Sequence, residues 1–273
     1  MSADDRPPLS ADDRPGAAGG PNRSTAHPLR AAIDGCRRDP VLFVPFALTG
    51  VLLAIVDWLR QRDPIPAIER EGLGSNGVTI SIEYVVYPTG IPQTVVPYES
   101  LVALEFSVLA WGLTLQALSL GAIGVAGAVT MARAMDERLR PRAVGAVVGF
   151  VVAMDLLQRL LGSIETFQQM GLVGIVPLAL YLVVLVQLFP LPGLLVTGRS
   201  PSAALRQSRR RVAGRGWSVF GLVLAIGLSA WLLASVPLGT VVSSVLVAPV
   251  HAVAIVALAI GSGQDVCRTR SGS

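Results

Sequence analysis

The sequence is poor in charged residues, cysteine and histidine, and it contains no lysine. Charged residues make up 15% of the 273 residues, against about a quarter in soluble domains. Two cysteines and two histidines are too few for a disulfide framework or a zinc site with several ligands, so we expect no metal and no cofactor. Arginine supplies all 22 positive charges. These shortages exclude a water-soluble domain with an ordinary charged surface.

Hydrophobic residues are abundant and grouped in long runs. They make up 52% of the sequence, and the mean hydropathy is +0.61. A bilayer core of about 30 Å requires about 20 apolar residues in a helix, and in lipid only a helix satisfies its backbone hydrogen bonds within one segment. The runs therefore predict an all-α, polytopic transmembrane bundle of six helices, with spans at about 40–59, 108–131, 143–161, 172–196, 217–236 and 240–260.

The two ends of the chain differ from this membrane domain, which we assign to residues 28–262. Residues 1–27 are polar, rich in Pro, Gly and Ser, and contain the hexapeptide SADDRP twice. Such a segment cannot bury enough apolar surface to offset its ordering entropy, so we predict a disordered cytoplasmic tail. Residues 263–273 are predicted to form a second cytoplasmic tail. No apolar core lies near Met1, so we expect no secretory signal.

The distribution of arginine predicts the orientation of the bundle. Fifteen arginines lie near one set of helix ends, at residues 30–38, 133–142, 199–215 and 268–270, and four lie near the other set, at residues 60–70 and 159. Because arginine is enriched in cytoplasmic loops, both termini are predicted to be cytoplasmic in a multi-pass protein of the plasma membrane. Cys36 and Cys267 then lie on the reducing side and are expected to be free thiols.

The external loop at residues 60–100 is the longest connection between spans. Residues 78–87 (VTISIEYVVY) are β-branched and aromatic, a PTG turn follows, and residues 91–98 (IPQTVVPY) carry two prolines. This pattern predicts a small two-stranded β-hairpin, either a lid or spacer or a loop that grips a ligand or partner. The GxGxxG at Gly72, Gly74 and Gly77 opens no helix, so it is not a dinucleotide site.

Several polar residues are predicted to lie inside the membrane, where they are costly and often functional. Asp155 and Arg159 are one helical turn apart, and they form either an ion pair at the helix end or the lining of an outward cavity. Gln116, Gln187 and His251 either make interhelical hydrogen bonds or, for His251 with Asp155, form a proton relay. The relay requires the third and sixth spans to touch.

Two other features predict helix packing. Gly145 and Gly149 form a GxxxG motif, which packs helices closely within one chain or between copies or other membrane proteins. The PLPG sequence at Pro190 is expected to break the fourth span near the cytoplasm, and Pro249 is expected to kink or end a helix.

Two basic segments precede apolar spans. SPSAALRQSRRRVAGRGW (200–217) has Ser and Pro at a helix start and Gly near its end, and its apolar face is predicted to contain Leu205, Ser208 and Val212. PLRAAIDGCRRDP (28–40) is predicted to place Leu29, Ile33 and Cys36 on one face. We expect two cytoplasmic interfacial helices whose arginines contact anionic lipid headgroups, although topogenic charge alone also explains them. The candidate contacts are Arg37, Arg38, Arg206, Arg209, Arg210 and Arg211; no nucleic-acid partner is expected.

Signatures of catalysis are absent from the sequence. It contains no HExxH, no GxSxG and no paired zinc-ligand spacing, so we do not expect an enzyme.

Two stretches carry a resemblance to a known family. SPSAALRQSRRRVAGRGWSVFGL (200–222) and AAIDGCRRDPVLFVPFAL (31–48), together with six spans, resemble haloarchaeal and bacterial polytopic proteins related to the membrane domain of glycerophosphodiester phosphodiesterases. The resemblance extends over residues 28–262 and implies a six-helix membrane module, mostly without assigned activity. It does not extend to the phosphodiesterase domain of some relatives, so hydrolysis is not implied.

The sequence as a whole predicts a non-catalytic integral membrane protein that serves as a lipid-associated or partner-binding module. The alternative is a small-solute or ion transporter or channel subunit that uses the polar intramembrane residues.

Overall fold

Helices form nearly all of the regular structure. A computed structural model describes residues 26–62, 68–69, 87–88, 94–95, 105–161, 171–234 and 239–260. In this part of the chain the helices are α1 (Ala26–Arg38), α2 (Val44–Arg62), α3 (Phe106–Ala134), α4 (Pro141–Leu161), α5 (Ile175–Leu188), α6 (Leu191–Val196), α7 (Pro201–Val212), α8 (Gly216–Ala234) and α9 (Gly239–Ile260). Short 3₁₀ turns at Pro40–Phe43 and Gly171–Gly174 precede α2 and α5.

In the described part of the chain, six helical segments are long and apolar enough to cross a membrane. They are Pro40–Arg62, Phe106–Ala134, Pro141–Arg159, Ile175–Val196, Gly216–Leu233 and Val241–Ile260. Each overlaps one predicted span, so the multi-pass helical architecture predicted from hydropathy is confirmed. Within the fourth segment, α5 ends at Leu188 and α6 begins at Leu191. The predicted break thus lies at Phe189–Pro190, where proline lacks the N–H of a continuous helix.

The sixth span, α9, lies at the centre of the bundle. It packs against α1, α2, α3, α6 and α8, and more than half of its apolar window is buried. Small residues permit this close contact. A Cβ atom placed on Gly50 of α2 would lie 3.3 Å from the Cβ of Ser244, and one on Gly193 of α6 would lie 3.0 Å from the Cβ of Ala259. The helices around α9 therefore approach it nearly backbone to backbone.

The third span, α4, packs at the edge of the bundle against α3 and α6. A Cβ atom placed on Gly124 of α3 would lie 2.9 Å from the Cα of Val148. By contrast, no atom lies within 4 Å of the Cβ positions of Gly145 and Gly149. The close α3–α4 contact thus uses Gly124, and the GxxxG motif of α4 faces away from the other described residues.

The external β structure differs from the prediction. Most of residues 78–98 lie outside the described residues. Thr94–Val95 forms an antiparallel two-residue ladder with Ile68–Glu69, a segment that the sequence pattern did not assign to a strand. The hairpin as predicted is therefore not supported.

Both basic segments are helices, but each packs on protein. Helix α1 starts at Ala26, within the segment predicted as a disordered tail; residues 1–25 and 263–273 lie outside the described part. It contacts α9 through buried Ala32 and Cys36, whereas Ile33, predicted for this face, is 37% exposed.

Helix α7 packs on α5 and α6 and buries Ala204, Ser208 and Val212, while Leu205 is only partly buried. Ser208, Val212 and Cys36 are buried on the predicted faces, whereas Ile33 and Leu205 were favoured by their hydrophobicity and are less buried than Ala32 and Ala204. The packing uses small residues at close range instead. The structure therefore does not support two free amphipathic helices lying on a membrane surface.

Substitution of Gly124 tests the α3–α4 contact. Gly124→Ala is expected to lower the free energy of unfolding by about 1–3 kcal/mol, because the added methyl group overlaps the Val148 backbone and forces the helices apart. Gly121→Ala is the matched control on the same helix, since no atom lies within 4 Å of its Cβ position. Thermal unfolding of the detergent-solubilised chain measures both, and equal midpoints for the two variants would contradict the observed contact.

Candidate functional site

Four polar side chains from three helices form a continuous hydrogen-bonded group, which we call the outer polar cluster: Arg60 (α2), Gln116 (α3), Asp155 and Arg159 (α4). Arg60 donates through Nη2 to Oε1 of Gln116 over 2.7 Å. Gln116 Nε2 donates to the Asp155 carboxylate over 3.3 and 3.4 Å. Arg159 Nε donates to Oδ2 of Asp155 over 2.8 Å. The cluster thus joins α2, α3 and α4 near the ends of α2 and α4.

The helix geometry explains why these residues meet. Asp155 and Arg159 are four apart, so they share one face of α4. Gln116 lies well inside α3, and α3 packs between α2 and α4. Sequence analysis missed Arg60, because the apolar run ends at Leu59 and the arginine was assigned to the loop. The helix continues to Arg62, whose guanidinium lies 3.8 Å from the centroid of the Trp58 ring, and this continuation brings Arg60 to Gln116.

The outer polar cluster connects α2, α3 and α4 through hydrogen bonds and one ion pair. The Asp155 carboxylate neutralises the Arg159 guanidinium and accepts a hydrogen bond from the Gln116 amide nitrogen. The Gln116 amide oxygen accepts a hydrogen bond from the Arg60 guanidinium. The side chains of Asp155 and Arg159 are only 20% and 24% exposed. A partly buried charge is costly unless it is paired. These hydrogen bonds therefore stabilise charged side chains of α2 and α4 within an otherwise apolar bundle. Buried Asp57 of α2 is a further carboxylate that the sequence analysis did not single out.

His251 lies apart from this group. It is buried on α9, its ring stacks on that of Phe189 with centroids 5.2 Å apart, and its Nε2 has no hydrogen-bond partner among the described residues. Helix α4 packs on α3 and α6, and in the described part no hydrogen bond leads from His251 to Asp155. The relay between His251 and Asp155 stays a prediction.

Gln187 lies where α5 meets α7. Its backbone carbonyl accepts a hydrogen bond from the hydroxyl of Ser208, which fixes α7 on α5. Gln187, which the sequence suggested as an intramembrane polar residue, therefore lies next to α7 and not in the outer polar cluster.

A second ion pair lies at the opposite end of the bundle. Arg133 of α3 donates through Nε to the Asp39 carboxylate over 2.8 Å, and this hydrogen bond holds the pKa of Asp39 below its usual value. Asp39 also accepts from the N–H of Val41 over 3.2 Å and so caps the 3₁₀ turn. With Asp136 and Glu137, these residues line an open cavity of about 460 Å³. The pair ties the α1–α2 junction to α3.

The arginines of α7 occupy the face opposite its buried residues. Arg206, Arg209 and Arg210 are exposed, and Arg211 is half-buried. Arg37 and Arg38 are exposed in the last turn of α1. Within the described residues, none of these six arginines pairs with a carboxylate.

No three His, Cys, Asp or Glu side chains of the described part group closely enough to hold a metal ion. No family model matches the chain, and no curated protein or solved structure is significantly similar to it. The resemblance to the membrane domain of glycerophosphodiester phosphodiesterases stays a prediction.

Substitutions of Asp155 test the structural role of the outer polar cluster. Asp155→Ala is expected to lower the free energy of unfolding by about 1–3 kcal/mol, because it removes the carboxylate that accepts hydrogen bonds from Arg159 and Gln116. Asp155→Asn keeps an acceptor oxygen and should cost less. Asp34→Asn, an exposed carboxylate, is the control and should change stability by less than about 0.5 kcal/mol. Thermal unfolding in detergent gives all three values, and an Asp155→Ala midpoint equal to that of the control would remove this role.

Proposed function

We propose that this chain is a non-catalytic membrane protein that associates with anionic lipid headgroups at the cytoplasmic surface through the exposed arginines of α7. One observation carries the proposal. Helix α7 is held on the bundle by Ala204, Ser208 and Val212, and it exposes Arg206, Arg209 and Arg210 without acidic partners in the described part. Such a helix presents fixed positive charge at one end of the membrane spans.

The energetics favour lipid as the partner of this face. Each arginine near an anionic leaflet contributes about 1 kcal/mol of attraction, which falls off within a Debye length of the surface. The hydrogen bond from Ser208 to Gln187 and the start of α8 at Gly216 keep α7 at the ends of α5 and α8, next to the headgroup region. Three exposed arginines on a rigid helix therefore provide a binding surface for anionic headgroups.

The alternation of six spans determines which connections share one end of the bundle. The end of α1, the α3–α4 connection and α7 all lie at the same end of the bundle, and this end holds most of the arginines. We infer that this end faces the cytoplasm of the plasma membrane. The segments before α1 and after α9 would then be cytoplasmic too.

Cysteine labelling tests the orientation. In a Cys267→Ser background, Arg210→Cys is expected to react with a membrane-impermeant maleimide only after cells are permeabilised, whereas Gln61→Cys, exposed at the end of α2, reacts in intact cells. Cys36 should stay silent because it is buried, and burial raises the pKa of its thiol. Labelling of Arg210→Cys in intact cells would reverse the assignment.

Lipid retention tests the function. The double variant Arg209→Gln/Arg210→Gln is expected to retain several-fold less phosphatidylglycerol than the wild type when purified from mixed bilayers and analysed by native mass spectrometry. The double variant Arg138→Gln/Arg142→Gln is the matched control, since it removes two exposed charges from the same end of the bundle. Equal retention by both variants and the wild type would leave only a topogenic role for the α7 arginines.

Transport is the second candidate function, and the outer polar cluster is the observation that favours it. Polar groups of three helices converge there inside an otherwise apolar bundle. The Asp155→Asn variant separates the two roles in proteoliposomes. Loss of solute or ion flux from a stably folded variant would support transport, and unchanged flux would leave the cluster as a connector.

A further inference from the structure

A short non-helical piece of the connection between α2 and α3 is buried inside the bundle. Tyr87 is 6% exposed and belongs to the hydrophobic core, and Pro88 is also buried. Of the three atoms nearest to a Cβ atom placed on Gly127 of α3, two are Cγ and Cδ of Pro88, at 3.1 and 3.8 Å. The proline ring therefore lies directly on the α3 backbone, where the absence of a side chain leaves room for it.

Contacts between α2 and α3 define the depth of this position. Gln116 of α3 belongs to the outer polar cluster near the end of α2, whereas Thr130 donates to the carbonyl of Leu42, in the turn before α2, over 3.5 Å. Gly127 lies eleven residues after Gln116 and three before Thr130, which is about 17 Å and about 5 Å of helix rise. Pro88 thus lies close to the level where α2 begins, although it belongs to the connection that starts where α2 ends.

This part of α3 faces the interior of the bundle. Around the helix axis, Gly127 lies between Gly124, which contacts α4, and Thr130, which contacts the turn before α2. The residues one turn before and one turn after it, Ile123 and Met131, are buried. The proline ring therefore lies on the side of α3 that faces α2 and α4, and not on a surface that would face lipid.

The connection is long enough to reach this depth and return. Gly127 is 21 residues after Phe106, the first residue of α3, which is about 32 Å of helix rise. Residues 89–104 join Pro88 to the residue before α3, and at about 3.3 Å each they can extend to about 50 Å. The stretch from the end of α2 to Tyr87 is longer still. Both ends of the connection can therefore lie at one end of the bundle while its middle lies near the other.

We propose that the connection between α2 and α3 is a re-entrant segment, which enters the bundle from the end that holds the outer polar cluster and is seated by Pro88 on Gly127 near the opposite end. Non-helical backbone at membrane depth is tolerated only where protein buries it or where it lines a water-filled cavity. Tyr87 and Pro88 meet the first condition, and proline has no N–H that would need a partner. The proposal replaces the outer lid or spacer expected from the sequence, and it does not depend on either proposed function.

The re-entrant path gives the outer polar cluster a place in this arrangement. A chain that runs from the end of α2 to Gly127 passes the level of Gln116, because Gln116 lies between the two levels on α3. Peptide groups that leave water at this depth need hydrogen-bond partners. The cluster therefore lies at the depth where the segment would enter the bundle.

Disulfide cross-linking of the full chain in native membranes tests the depth. In a Cys267→Ser background, Pro88→Cys/Gly127→Cys is expected to form a disulfide on mild oxidation, detected as linked peptides by mass spectrometry. Because Cγ of Pro88 is one bond from its Cβ, the two Cβ positions are close enough for this bond. Pro88→Cys/Leu120→Cys is the matched control, since Leu120 is buried on the same face of α3, two turns nearer to the outer polar cluster. A disulfide with Leu120→Cys, or none with Gly127→Cys, would overturn the re-entrant path.

A double-mutant cycle in detergent tests the seat without a disulfide. Gly127→Ala is expected to lower the thermal midpoint by a few degrees, because the added methyl group overlaps the Pro88 ring. In Pro88→Ala/Gly127→Ala the two ring atoms that it meets are gone, so the combined loss should be smaller than the two single losses together. Gly121→Ala, with no atom within 4 Å of its Cβ position, should combine additively with Pro88→Ala. Additive losses for Pro88→Ala and Gly127→Ala would overturn the seat and leave the lipid association untouched.

Discussion

Close packing around α9 is the constraint on which the bundle depends. In lipid, apolar side chains gain little by leaving the solvent, so helices associate through van der Waals contact and hydrogen bonds. Both require short distances. Helix α9 meets its neighbours through small residues such as Gly50, Ser244 and Ala259, and its Ala248, Ala252 and Ala254 are fully buried. A helix lined with large side chains could not have five neighbours at this range.

Polar contacts secure the bundle at both ends. At one end, Arg60, Gln116, Asp155 and Arg159 join α2 to α4 through paired charges. At the other end, Asp39 and Arg133 join the α1–α2 junction to α3. The second end also holds arginines without acidic partners in the described part. This asymmetry is what supports an association with anionic headgroups at one surface only.

The number and approximate limits of the spans could be predicted from the sequence, because hydropathy reports whether a segment is long enough and apolar enough to cross a bilayer. The ion pair of Asp155 with Arg159 was equally accessible, since its partners are four residues apart on one helix. The participation of Arg60 was not, because it depends on α2 continuing past the apolar run and on α3 packing next to it. The sequence predicted that His251 and Asp155 both lie within the membrane, but it could not show whether the two side chains are in contact.

Local periodicity and composition determined that this chain forms apolar helices, approximately which residues they span, and near which ends arginine accumulates. Only the tertiary structure decided which faces meet. It buried Ala32 and Ala204 where hydrophobicity favoured Ile33 and Leu205, and it packed Gly124 against α4 instead of Gly145 and Gly149. The reason is physical: span formation depends on each segment's own free energy in lipid, whereas pairing of helices depends on distances between residues far apart in sequence.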